Sequence, residues 1–319
     1  MTTIEELIVC GESAYSFFKG YNLKRAAISI LLTPDVKEKA RLTFALSKAF
    51  TLGIVDIGES DVLDTICPAR PNRPANVQLV HPLKVKSSTR RHMLHSLCHA
   101  ESFAIDLSWD IIARFGWSSQ LWYNLPLSFT ATDSHPIFSS TRMPDEFFYM
   151  WVKVAFEEAK HFTKWTLRLQ SYNNTLYGDL PAHEGLWQSA VDTSHSLLAR
   201  LCVVHCIHEA RGLDVYPLMR SKLGDDIESV AVLDANRDEE ITHVEAGRIW
   251  LETLSKNAKL DPIDMFKKCT RAYFFGSLRP PFATESRNKA GLTEDFYLDL
   301  SEARLADDTQ QYLGTEDMG

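Results

Sequence analysis

Two short phrases in the 319-residue chain carry the residue types of a metal site: Glu158-Ala-Lys-His161 and Glu240-Ile-Thr-His243. Each is E-x-x-H, and on a helix that spacing sets a carboxylate and an imidazole one turn apart on the same face. Two such helices, joined by two more that each carry one inward glutamate, supply the ligands of a carboxylate-bridged di-iron or di-manganese centre. Glu101 and Glu209 are the lone glutamates that fit. Mixed oxygen and nitrogen donors suit iron or manganese better than structural zinc, which favours thiolate and imidazole.

One E-x-x-H by itself is weak, since roughly one match is expected by chance in a chain of this composition. Its setting adds weight. At helical spacing Glu158 and His161 share a face with Trp151, Val154, Ala155, Phe162, Trp165 and Leu169. Glu101 falls among Leu94, Leu97, Cys98, Ile105, Ser108 and Ile112, and Glu209 among Leu198, Cys202, His205, Cys206, Leu213 and Tyr216. Glu240 falls among Leu233, Asn236, His243, Val244 and Leu251. Burying four uncompensated carboxylates costs several kcal/mol each. Two divalent cations cancel their four negative charges.

Around these residues stand others with narrower roles. His205, one turn before Glu209, is a candidate extra ligand or hydrogen-bond partner, and Asn236, four residues before Glu240, a candidate partner for a ligand. Arg237 could pair with a carboxylate or an acidic substrate, Tyr216 is favoured as a core tyrosine over a radical site, and Trp151 and Trp165 would wall a dry pocket. His92, His95 and His99 mimic a metal cluster but fall on the face of their helix away from Glu101, where a surface or inter-helix role is expected. The segment from Arg279 to Gly291, with Arg279, Arg287 and Lys289, is a candidate flap that closes on an acidic group.

The elements that must position these residues are helices. Residues 24–52 predict two, broken at Pro34-Asp35. Four long ones are expected over 88–115, 144–172, 184–212 and 226–257, with Gly212 as the stop of the third. The fold expected is all-α, a four-helix bundle with additional N-terminal and C-terminal helices. As one domain it comprises a helical cap (1–66), a proline-rich connector (67–87), the metal bundle (88–257) and a C-terminal helix and tail (258–319). Residues 116–143 predict a long functional loop, a lid over the pocket, and the last dozen residues a frayed end.

The bulk numbers suit this. Hydrophobic residues make up 45% and charged residues 24% of the chain, ordinary for a soluble globular protein. A net charge of −8 argues against a nucleic-acid partner. The start has no basic segment before an apolar core, and no apolar run approaches membrane length, so neither a signal peptide nor a membrane span is expected. Six scattered cysteines fit reduced thiols and a cytoplasmic location.

The order Glu, E-x-x-H, Glu, E-x-x-H resembles the ferritin-like superfamily. More closely, HAESFAIDL, FEEAKHF, HEARGLDVYP and RDEEITHV resemble a ferritin-like family of unassigned function related to the bacterial tRNA-hydroxylating di-iron enzymes. The resemblance runs from about Ala26 to Tyr297 and includes RPPFATESRNKAGLTEDF. It implies a ferritin-like bundle and Glu101, Glu158, His161, Glu209, Glu240 and His243 as ligands to two iron ions, with manganese as the alternative in one or both positions. The activity expected is that of a non-haem oxidoreductase, an oxygenase (monooxygenase) or oxidase. With dioxygen as co-substrate it would hydroxylate, desaturate or rearrange a small organic molecule. Electrons would come from a partner protein or the substrate, and a homodimer is compatible with the fold. The alternatives are hydroxylation of a tRNA base and ferritin-like iron handling or peroxide scavenging.

Overall fold

Short polar side chains start the helices where the sequence places them. Asn22 accepts a hydrogen bond from the Arg25 amide (2.9 Å) at the head of α1 (Leu23–Leu31), and Asp35 accepts one from Glu38 (2.7 Å) at the head of α2 (Val36–Thr51). Thr89 caps α3 (Arg90–Phe115), while α4 (Asp145–Ser171) follows Pro144 with Asp145 and Glu146 in its first turn, favourable to the helix dipole. Then come α5 (Gly185–Asp192), α6 (Leu197–Arg200), a π-helix (Leu201–His208), α7 (Glu209–Leu223), α8 (Ile227–Asn257), α9 (Pro262–Tyr273) and α10 (Thr284–Lys289). This computed structural model describes residues 15–58, 66–85, 89–126, 141–172 and 174–301. The fold is all-α; among the described residues the only β pairing is two isolated bridges, Asn22 with Asp56 and Leu79 with Ala182. Most of the expected loop (127–140) and the expected frayed tail lie outside the described residues.

The chain divides into two units. The first comprises residues 1–121, 140–191 and 220–236. Here α3 packs along α4, with α1 against α3 and α2 against α4. Phe44 of α2 meets Phe156 of α4 edge-on (5.4 Å), and Trp109 of α3 donates its indole N–H to Thr43 (2.9 Å). So α3 is covered on more than one side: its buried residues include Asp106, Trp109, Asp110 and two histidines besides the apolar stripe.

The second unit comprises residues 122–139, 192–219 and 237–319. In it α9 packs on α6 and the π-helix. The buried Arg287 of α10 forms a two-pronged bond to Asp214 of α7 (2.8 and 2.6 Å) and stacks on Tyr297 (4.3 Å). The flap expected over 279–291 is therefore corrected at two of its cations. Arg287 is a core residue of this unit, and Lys289 pairs with Glu285 (2.8 Å).

The third long helix is also corrected. One helix over 184–212 is expected; the chain instead breaks between Asp192 and Leu197 and continues past Gly212 to Leu223 with Pro217 inside. The break has a local cause, because hydroxyl side chains offer the backbone another partner there. Ser196 caps the new start, and Thr193 accepts a bond from the buried guanidinium of Arg200 (2.9 Å). Gly212 fails as a stop because its φ is not in the left-handed region that a glycine C-cap uses.

Candidate metal centre

In the first unit α3 and α4 bring three predicted ligands together. Glu101, Glu158 and His161 each offer a ligand atom, and these atoms lie within 4.8 Å of one another. His161 Nδ1 is 3.8 Å from Glu101 Oε2 and 3.6 Å from Glu158 Oε2. Glu158 and His161 are 1% and 0% exposed, while the Glu101 side chain keeps 12%, so the trio sits at the bottom of a nearly dry face. The stripe predicted around Glu158 is confirmed: Trp151, Val154, Ala155, Phe162, Trp165 and Leu169 are all buried.

In the second unit Glu240 and the buried His243 stand one turn apart on α8, with His243 Nδ1 3.4 Å from Glu240 Oε2. In both motifs the nitrogen facing the glutamate is Nδ1. Glu209 is the first residue of α7, directly after the π-helix, and is half-buried.

These separations discriminate between two kinds of contact. A carboxylate–imidazole hydrogen bond closes to about 2.7–3.2 Å. Two donors sharing one ion at about 2.0–2.2 Å stand roughly 3–3.6 Å apart. Values of 3.4–3.8 Å lie near the second range, and one buried and one partly exposed carboxylate beside a buried imidazole form a donor set that a divalent cation would stabilise. On that chemistry the residues fit a metal.

The flanking predictions divide. Asn236 is buried and accepts a bond from Lys164 Nζ (2.9 Å); Lys164 follows His161 by one turn and Asn236 precedes Glu240 by one turn. Arg237 lies over the Tyr216 ring (5.0 Å) and bonds Asp238 (2.9 Å), so Tyr216 is half-buried against a guanidinium rather than enclosed in the core. His205 is buried within the π-helix. That π-helix corrects the face drawn from Leu198 through Cys202 to Glu209. Its wider turn abandons the 3.6-residue period, the Glu209 amide bonds back five residues to Val204, and every residue from Leu201 to Ile207 is buried.

His95 and His99 are buried, and they pack against the loop between α4 and α5 rather than taking the expected surface or inter-helix role. His95 stacks on Tyr177 (5.4 Å), and His99 bonds the Tyr177 hydroxyl through Nδ1 (3.0 Å) and the His183 carbonyl through Nε2 (2.8 Å). Burial is the largest cause holding both neutral, pushing His95 down to about 4 and His99 to about 3. Burial, reinforced by the Glu101 carboxylate, likewise raises the Cys98 thiol well above its ordinary value. It is an inert filler of the core.

Sequence reasoning missed the polar cluster five residues beyond Glu101 on α3. Asp106 is fully buried; Lys39 of α2 contacts one carboxylate oxygen, and Arg73 of the proline-rich connector bonds the other (2.7 Å). Arg73 also reaches Ser102 (2.6 Å) and Tyr177 (3.0 Å). The apolar periodicity of α2, in which Lys39 occupies a core position, was the available signal.

The chain belongs to a family described as "Protein of unknown function (DUF455)", whose model matches residues 32–298. It is also 32% identical over 203 residues to an uncharacterized protein of Haemophilus influenzae, covering 63% of this chain and 64% of that protein. The chain thus matches less than two thirds of that relative's length. No solved structure matches. No helix among the described residues is long and apolar enough to cross a membrane.

Proposed function

We propose that this protein is a ferritin-like, dinuclear non-haem metal oxidoreductase that uses dioxygen to hydroxylate, desaturate or rearrange a small organic substrate. The observation that carries the reading is the Glu101–Glu158–His161 trio, whose donor atoms converge on a buried face at spacings suited to a shared cation. The second trio, Glu209, Glu240 and His243, repeats its composition: one lone glutamate and one E-x-x-H pair. The six side chains together are the proposed ligand set, and their four carboxylates match the charge of two divalent ions.

When bound, two iron ions, or manganese in one or both positions, supply electrons to dioxygen and thereby an oxidant for C–H bonds. The chain's own residues do the rest. Glu101 and Glu158 would hold the ions through their carboxylate oxygens and supply the negative charge that balances them. His161 and His243 would offer Nδ1, the nitrogen that faces a glutamate in each motif. Trp151, Phe162 and Trp165 keep water from the carboxylates, which strengthens each electrostatic contact there. The Lys164–Asn236 bond holds a polar group one turn from His161 without opening that face to solvent.

The experiment is anaerobic ferrous loading followed by oxygen exposure, watched by absorbance and an oxygen electrode. A transient visible band with oxygen uptake of about one molecule per two irons is expected. Iron that is bound but oxidised no faster than free ferrous ion would overturn the oxygen chemistry.

A further inference from the structure

A glycine in the middle of α8 has a packing explanation that bears on the second ligand set. Gly247 lies well inside the 31-residue helix Ile227–Asn257. An interior helical glycine costs about 1 kcal/mol relative to alanine, so one that persists there needs a reason. The reason is backbone against backbone. A Cβ on Gly247 would stand 2.5 Å from the carbonyl oxygen of His205, 2.8 Å from its carbonyl carbon and 2.9 Å from its Cβ. No side-chain rotation relieves a clash with a carbonyl, so alanine forces the two helices apart. The segment approached so closely is the π-helix, whose wider turn already displaces the register of α7 beyond it.

The contact lies one turn along the chain from two members of the second ligand set. Glu209 follows His205 by four residues, and His243 precedes Gly247 by four, so each ligand lies about 6 Å along its helix from the contact. A shift imposed at Gly247 therefore reaches both with little slack. We propose that Gly247 is the positioning residue of this ligand set: by seating α8 against the π-helix at His205 it fixes Glu209 relative to the Glu240–His243 pair. This role rests on the metal-centre reading and adds to it the device that holds three of the six donors in register.

Gly212 of α7 provides the matched control, because a Cβ there meets nothing within 4 Å. The test compares wild type, Gly247→Ala and Gly212→Ala by manganese(II) titration, reading unbound ion by electron paramagnetic resonance, with far-ultraviolet circular dichroism alongside. Wild type and Gly212→Ala should each bind about two ions per chain. Gly247→Ala, still helical, should bind one ion as wild type does and the other at least tenfold more weakly. If wild type binds two ions and Gly247→Ala binds both equally well, the positioning role is overturned while the metal centre stands. Loss of both ions together with loss of helical signal would also overturn it, because Gly247 would then serve the fold and not one ligand set. A wild type that binds no manganese, and no ferrous ion under anaerobic loading, removes the metal centre and this inference with it.

Discussion

Two acidic residues of helix α3 five residues apart, Asp106 and Glu101, sit in surroundings built in opposite ways. Asp106 is enclosed with its counter-ions, Lys39 from α2 and Arg73 from the connector, supplemented by Ser102 and Tyr177 around the guanidinium. Glu101 and Glu158 both approach the same imidazole nitrogen, Nδ1 of His161. Both sites hold charge from the same helix. One compensates it with cations of the chain, and the other brings two carboxylates and an imidazole close enough for the proposed metal ion to be shared among them. The lesson is that buried charge alone does not mark a functional site; the sign and permanence of its surroundings do.

The largest expected effect breaks the permanent site. Lys39→Met leaves Asp106 buried with one of its two cations gone and should cost about 3–5 kcal/mol in urea unfolding, the same with or without metal. The proposed metal site should respond in the opposite manner. Ferrous or manganese ion at 100 times its dissociation constant should stabilise wild type by about 2.7 kcal/mol. In Glu158→Gln that gain should vanish, while the metal-free variant is no less stable than wild type, because the amide keeps the side chain's shape and buries no ionisable group. A Lys39→Met variant with unchanged stability, or a Glu158→Gln variant that loses several kcal/mol without metal, would erase the distinction.

Acid should expose the shell around the permanent site. His95 and His99 hold values of about 4 and 3 when folded, below the ordinary 6.5 of the unfolded chain. Between those limits the unfolded chain binds more protons than the folded one, so stability falls as pH drops below about 6.5. The slope is up to roughly 1.4 kcal/mol per pH unit for each histidine, flattening below about 4 and then 3. Replacing both by glutamine should reduce the slope of unfolding free energy against pH in that window, leaving the share of His208, which burial also pushes down to about 4. The smallest effect sharpens the picture: Tyr177→Phe removes the hydroxyl bonded to His99 and Arg73 and should cost about 1–2 kcal/mol by thermal unfolding, with metal binding unaffected.

Much of this was legible in the residue order, for physical reasons that also explain the misses. The helices of the first unit follow from caps such as Asn22 and Asp35 and from apolar stripes that keep a constant 3.6-residue period. Glu158 and His161 could be placed on a buried face because α4 is one unbroken helix. The face around Glu209 could not be drawn the same way. A π-helix is set by where wide hydrogen bonds form, and Leu-Cys-Val-Val-His-Cys-Ile-His is as apolar as any α-helical core segment. Arg73 was hidden for a different reason: extended connectors have no period, so nothing local says which of their side chains turns inward. His95 and His99 were placed on the face away from Glu101; the residue order does not record that Tyr177, far along the chain, covers that face.

Glu101, Glu158 and His161 stand at the centre of the proposed metal site. Its most direct test is the iron content of protein loaded anaerobically with ferrous ion and passed through a desalting column, wild type beside Glu158→Gln. About two irons per chain in wild type and a marked loss in the variant, both with identical circular dichroism, is the expected result. No retained iron in wild type, or equal iron in the two proteins, would contradict it.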